Sequence, residues 1–302
     1  MNIFGLILTV IGLSLFEIIS SIDNAIINAE VLSTMSQKAR KWFLVWGLLF
    51  AVFIMRGLLP WAIVWASTPS LGPLGSLLAT FSSDPKVHEA IEASSPILLV
   101  GGGIFLLFLF FHWLFMEAKS YGLPGERFFE KQSVWFYAVV SILLTGIVWA
   151  ALDVNPLMAF GAAVGSTAFF ITHGFKQNAE EEESKLLNSR RSDISKILFL
   201  EVIDATFSID GVIGAFAFTL SVPLILFGNG LGAVVLRQLT VGNIDRIKKY
   251  KYLKNGAMYS ILFLGTVMIL DSFGYNIPHW LSPVLTIGVV GYFFFLSYKE
   301  AK

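Results

Sequence analysis

The sequence predicts an all-α polytopic membrane protein of about nine transmembrane helices, built on an inverted internal repeat, with the N-terminus outside and the C-terminus inside. Three observations predict it. Of 302 residues, 56% are hydrophobic and only 14% charged, at a mean hydropathy of +0.74, whereas a soluble domain keeps roughly a quarter of its residues charged. Apolar runs of about 20 residues, the length that crosses a hydrocarbon core near 30 Å, recur along the chain. Lys and Arg gather in alternate connections between those runs. The 28 Phe and 8 Trp suit lipid-facing and interfacial positions.

The first run, 3–32, opens on an apolar stretch from Ile3 to Ile19 that has no Lys or Arg ahead of it and ends in Glu17 and Asp23 rather than a small-residue cleavage site. It therefore reads as a retained span and not a signal peptide. The second, 43–66, carries Arg56 and is followed by a long outer stretch, 67–96, whose Asp84, His88, Glu89 and Glu92 suit a solvated loop. The third, 97–117, opens on Gly101-Gly102-Gly103; with no strand before it, close helix packing explains the triplet better than phosphate binding. Runs 134–152 and 156–173 meet at Pro156, and runs 196–219 and 223–243 at Pro223. The last two are 256–271 and 281–298. Lipid leaves backbone groups no partner outside their own segment, so all nine are helices.

The basic residues test this count. With the N-terminus outside, the inner segments 37–42, 118–133, 174–196, 245–255 and the C-terminal tail hold eighteen of the 21 Lys and Arg. Only Lys86 falls in an outer loop, while Arg56 and Arg237 lie within spans. That is the positive-inside pattern for an odd number of spans. Residues 1–173 then form a first transmembrane half of five helices and 196–302 a second half of four. Between them, 174–195 is a cytoplasmic linker loop containing Glu180 to Glu183, Lys185, Arg190 and Arg191.

Two segments resemble each other. Glu17-Ile-Ile-Ser-Ser21-Ile-Asp23-Asn24-Ala-Ile26 aligns with Asp204-Ala-Thr-Phe-Ser208-Ile-Asp210-Gly211-Val-Ile213, and downstream Arg56 answers to Arg237. The first copy runs outside to inside and the second inside to outside. Such inverted repeats place a binding site near the midplane.

A carboxylate at that depth costs roughly 2.5–3.5 kcal/mol and marks an ion path or proton relay by default. Glu17, Asp23, Asp204 and Asp210, with Glu201 beside them, outnumber Arg56 and Arg237; four ionised acids against two guanidiniums leave the charge one divalent cation would neutralise. The oxygen donors Ser20, Ser21, Asn24, Asn28 and Ser208 stand nearby. On an ideal helix Glu17, Ser21, Asn24 and Asn28 share one face, as do Asp204, Ser208 and Gly211, while Asp23 and Asp210 point about 120° away. Those two join the site only if the helix is unwound or if they meet another helix. A buried ion-pair network that merely locks helices together is the competing reading.

Oxygen ligands suit magnesium, calcium or manganese, whereas zinc and copper favour thiolate and imidazole. There is no cysteine, and His112 and His173 read as isolated, the first packed and the second interfacial. Net charge is zero, so nothing attracts nucleic acid. No H-E-x-x-H, Walker loop, G-x-S-x-G or Gly-x-Gly-Asp appears, and no enzyme is expected.

The acid-x-x-x-Ser-x-Asp segments at 17–24 and 204–211, each followed by an intramembrane Arg, resemble the TerC family of integral membrane proteins, of which this chain looks like a divergent branch. The resemblance implies a multi-pass protein of the bacterial inner membrane. It also implies manganese export, or the tellurium resistance of the family's name, with Glu17, Asp23, Asn24, Asp204 and Asp210 as metal or ion-path residues. The departure at Gly211, opposite Asn24, means that the halves do not offer identical ligands. The expected function is divalent-cation export with no tightly bound cofactor, manganese first and calcium or magnesium next. A non-transporting membrane scaffold and a small-solute exporter are the alternatives.

Overall fold

A computed structural model describes residues 3–79, 85–187, 192–247 and 249–300. Helices account for nearly all of them, and no strand occurs among the described residues. The expected first span is two helices, α1 (Ile3–Ser20) and α2 (Ile22–Ser33), divided at Ser21. Ser20 and Ser21 form the kind of small polar pair at which helices bend, although Ser21 and Ala25 still make main-chain bonds across the junction. A short α3 (Gln37–Trp42) is capped by the Ser36 side chain, which accepts from Ala39 N.

The second expected span winds irregularly. Phe43–Gly47 and Ala51–Leu58 are π-helical, flanking α4 (Leu48–Phe50), and α5 (Leu59–Ser67) completes the crossing. Wide turns of this kind gather at functional sites, and Arg56 sits in the longer one.

The expected outer loop at 67–96 is largely helical. It contains a 3-10 turn at Pro69–Leu71, α6 (Gly72–Ala79) and the start of α7 (Pro85–Met116), which runs through Pro96. Asp84 lies outside the described residues, as does the side chain of His88. After α8 (Glu126–Glu130) come α9 (Trp135–Val154) and α10 (Pro156–Leu187), parted at Asn155 as Pro156 requires. The helix does not stop at 173: α10 carries helix through much of the segment read as a linker loop, because Glu, Lys and Ala are good helix formers whether or not lipid surrounds them. Arg190 and Arg191 lie outside the described residues. The second half comprises α11 (Asp193–Ala215), α12 (Val222–Ile247), α13 (Leu253–Ser272) and α14 (Leu281–Glu300).

Among the described residues, six helices are long and apolar enough to cross a membrane: Ile3–Ser20, Glu92–Met116, Trp135–Val154, Pro156–Asn178, Leu253–Ser272 and Leu281–Glu300. The other three expected spans differ for physical reasons. Residues 43–66 are broken into short π- and α-helical pieces, α11 carries Lys196, Glu201, Asp204 and Asp210, and α12 is apolar only over Val222–Gln238. Large apolar side chains cover the outside, Ile142 and Trp149 of α9 being 73% exposed each, as befits a surface that lipid would wet.

Inside, α7 packs along both α10 and α13, while α1 packs on α12, α11 and α14. Glycines permit the closest approaches. A Cβ on Gly165 would lie 2.0 Å from the Gly101 carbonyl oxygen, one on Gly101 would lie 2.8 Å from the Gly161 oxygen, and Gly103 abuts Gly265 in the same manner. The Gly101-Gly102-Gly103 triplet thus serves helix packing. Around it the core is aromatic, with Phe105 and Phe108 set edge-on to Phe169.

Candidate functional site

The two repeat copies cross antiparallel and meet end to end. The first position of one faces the eighth position of the other: Asn24 Nδ2 donates to Asp204 Oδ1, while a Cβ on Gly211 would stand 2.8 Å from Glu17 Oε2. Asn24, 2% exposed, and Asp204, 7% exposed, are buried together, and Glu17 is fully buried. The departure from symmetry at Gly211 has a steric reason. A side chain there would occupy the space that the Glu17 carboxylate fills.

Glu17 Oε1 accepts from an Arg56 guanidinium nitrogen and from Ser21 Oγ at 3.0 Å. Arg237, the counterpart of Arg56, donates to the Phe43 carbonyl and lies over the Phe43 ring, 4.3 Å from its centroid. Between these groups is a cavity of ≈ 30 Å³ lined by Ser21, Asn24, Asn28, Arg56, Asp204 and Arg237 with apolar neighbours, room for about one water or one bare ion. Several buried oxygens find no hydrogen-bond partner among the described residues: Glu17 Oε2, Asn24 Oδ1, Asn28 Oδ1, Ser208 Oγ and both carboxylate oxygens of Glu201. Unpartnered buried oxygens are costly unless something else satisfies them. Gly47 leaves space for Glu201, since a Cβ there would stand 2.4 Å from Glu201 Oε1. Ser20 turns back to the Glu17 main-chain oxygen at 3.4 Å and stands near Gly211.

Asp23 and Asp210 do not join this group. Each meets a lysine of another helix instead, so that neither is brought into the site. Lys254 at the start of α13 reaches Asp23 at 2.8 Å, and Lys176 of α10 pairs with Asp210. The excess of negative charge near Asn24 is accordingly smaller than the sequence suggested. Glu17, Asp204 and Glu201 face Arg56 and Arg237, which leaves one charge rather than two if all are ionised. Among the described residues no three carboxylates or imidazoles stand at metal-ligand spacing. Arg56 holds the carboxylate that a cation would need.

Sequence reasoning missed Lys176 and Lys254 as site residues because both lie just past span ends, where lysines are expected to face water. It also read His112 and His173 as isolated. Their ring centroids are 3.9 Å apart, since α7 and α10 pack face to face.

A family model described as "Protein of unknown function (DUF475)" matches residues 22–302. The chain belongs to the DUF475 family. The part that matches this family includes Asn24, Asn28, Arg56, Asp204 and Arg237, while Glu17 lies upstream of it. A relative in Bacillus subtilis (strain 168), "Uncharacterized membrane protein YceF", is 26% identical over 170 residues, covering 54% of this chain and 61% of that protein. The match thus spans about three fifths of the relative's length. No solved structure matches. A membrane-protein relative and several membrane-length apolar helices identify this DUF475 chain as a multi-pass membrane protein.

Proposed function

We propose that the chain carries a divalent cation across the bacterial plasma membrane, by alternating access to the site between α2 and α11. One observation carries this reading: the buried, unpartnered amide oxygens of Asn24 and Asn28 line a small cavity together with Asp204, where two antiparallel copies of one motif cross. That is where transporters built from inverted repeats bind their substrates. Amide and carboxylate oxygens suit hard ions. The TerC resemblance supports manganese as the first ion and export as the direction, while the apolar runs and the distribution of Lys and Arg support nine spans with the C-terminus inside. Since Arg56 holds Glu17, an arriving cation competes with a guanidinium for that carboxylate.

Paired acids are also what a non-transporting scaffold would require, and flux separates the two. Everted membrane vesicles containing the protein should accumulate manganese at least tenfold faster than vesicles lacking it. Asp204→Asn, at equal protein level, should remove that difference. Equal uptake with and without the protein, for manganese, calcium and magnesium alike, would overturn the transport reading in favour of the scaffold.

A further inference from the structure

A second group of charges lies beside the cation site. Asp23 precedes Asn24 by one residue and so points about 100° away around α2. The Lys254 ammonium bridges Asp23 Oδ2 and Glu117 Oε2, at 2.8 Å from each. Glu117 Oε1 is 3.4 Å from His112 Nδ1, and the His112 ring lies 3.9 Å from that of His173, tilted by 52°. One turn further along α10, Lys176 closes on Asp210. Lys119, behind Glu117, is spent on the main-chain oxygens of Trp113 and Glu117. Phe136 of α9 and Phe169 of α10 wall the imidazoles. The charged groups around the pair are therefore Glu117, Lys119, Lys176, Lys254, Asp23 and Asp210.

With both imidazoles neutral, the carboxylates of Asp23, Asp210 and Glu117 face the ammoniums of Lys119, Lys176 and Lys254, and the cluster carries no net charge. Two charged imidazoles so close would repel by about 4 kcal/mol at an effective dielectric near 20, so the two are not charged together. Imidazole is the side chain whose charge ordinarily changes near neutral pH.

We propose that His112 and His173 together hold one exchangeable proton against Glu117, and that this proton is the ion exchanged for the divalent cation. The inference rests on the transport reading above. The cation site keeps one negative charge and the histidine cluster none, and α2 and α11 carry residues of both. A divalent cation already exceeds the one negative charge at its site, and a proton on the nearby imidazoles adds to that excess of positive charge. Cation and proton thus exclude each other electrostatically, which is the thermodynamic basis of antiport. The proton moves between water and an imidazole nitrogen, and no bond other than N–H forms or breaks.

The test uses the purified full-length protein in detergent, weakly buffered near pH 6.5. Manganese is added while calorimetry follows binding and a pH dye follows released protons. The wild type should release about one proton per ion bound. His173→Gln and Glu117→Gln should each bind manganese and release less than a third as many. Binding without proton release in the wild type, or undiminished release in a folded variant of either kind, would overturn the inference while leaving the cation reading intact. A flat calorimetric trace for manganese, calcium and magnesium would instead sink the cation reading, and the inference with it.

Discussion

Glu17 shows how much one residue's surroundings constrain. Its carboxylate is wholly buried, held through one oxygen by Arg56 and Ser21, and its other oxygen faces the Cα of Gly211. Removing one partner of a buried pair strands the other's charge, which costs about 3–5 kcal/mol, whereas replacing both is often neutral. Arg56→Gln should therefore lower the thermal unfolding temperature in detergent strongly, and Glu17→Gln combined with Arg56→Gln should recover most of the loss. If the double variant unfolds as early as Arg56→Gln alone, the ion pair is not what makes the single change costly. On the transport reading the recovered protein still moves no cation, because the carboxylate is gone.

At the scale of elements, small residues decide where helices touch. The approach of α10 to α7 at Gly165 leaves 2.0 Å between a would-be Cβ and a main-chain oxygen of Gly101. Backbone cannot yield as a side chain can, so Gly165→Ala must push the two helices apart. Overpacking of this kind costs about 1–3 kcal/mol. Gly146, on the outer part of α9, has open space at its Cβ, and Gly146→Ala should be neutral or mildly stabilising through helix propensity. Unfolding both variants side by side checks the contrast, and an equal effect at the two sites would refute the seam. The π-helical turns around Arg56 are a second element-scale feature. They add a residue per turn locally, which re-aims the guanidinium relative to a regular helix.

The two repeated aspartates each meet a lysine of another helix: Asp23 with Lys254 of α13 and Asp210 with Lys176 of α10. Their surroundings differ. The side chains of Asp210 and Lys176 are 8% and 15% exposed, those of Asp23 and Lys254 39% and 33%. Exposed pairs contribute about 0.2–1 kcal/mol, whereas breaking a buried pair costs about 3–5 kcal/mol. Double-mutant cycles should accordingly find a larger coupling for Lys176→Met with Asp210→Asn than for Lys254→Met with Asp23→Asn. Equal couplings would mean that water reaches both pairs alike.

Much of this was legible beforehand. Composition and run length foretold a multi-pass helical protein because lipid imposes one solution on every segment that crosses it. The repeated acid-x-x-x-Ser-Ile-Asp pattern pointed to α1, α2 and α11, and the helical period already separated Asp23 and Asp210 from Glu17 and Asp204. What the chain's order could not express was which distant side chains meet. That Lys254 spans Asp23 and Glu117, that His112 lies against His173, and that Gly211 is empty so that Glu17 can fill its place all depend on how helices far apart in sequence pack. Periodicity is a local property of a chain and charge pairing is a property of space. A long flexible lysine at a span end looks the same in sequence whether it faces water or reaches back to a buried carboxylate.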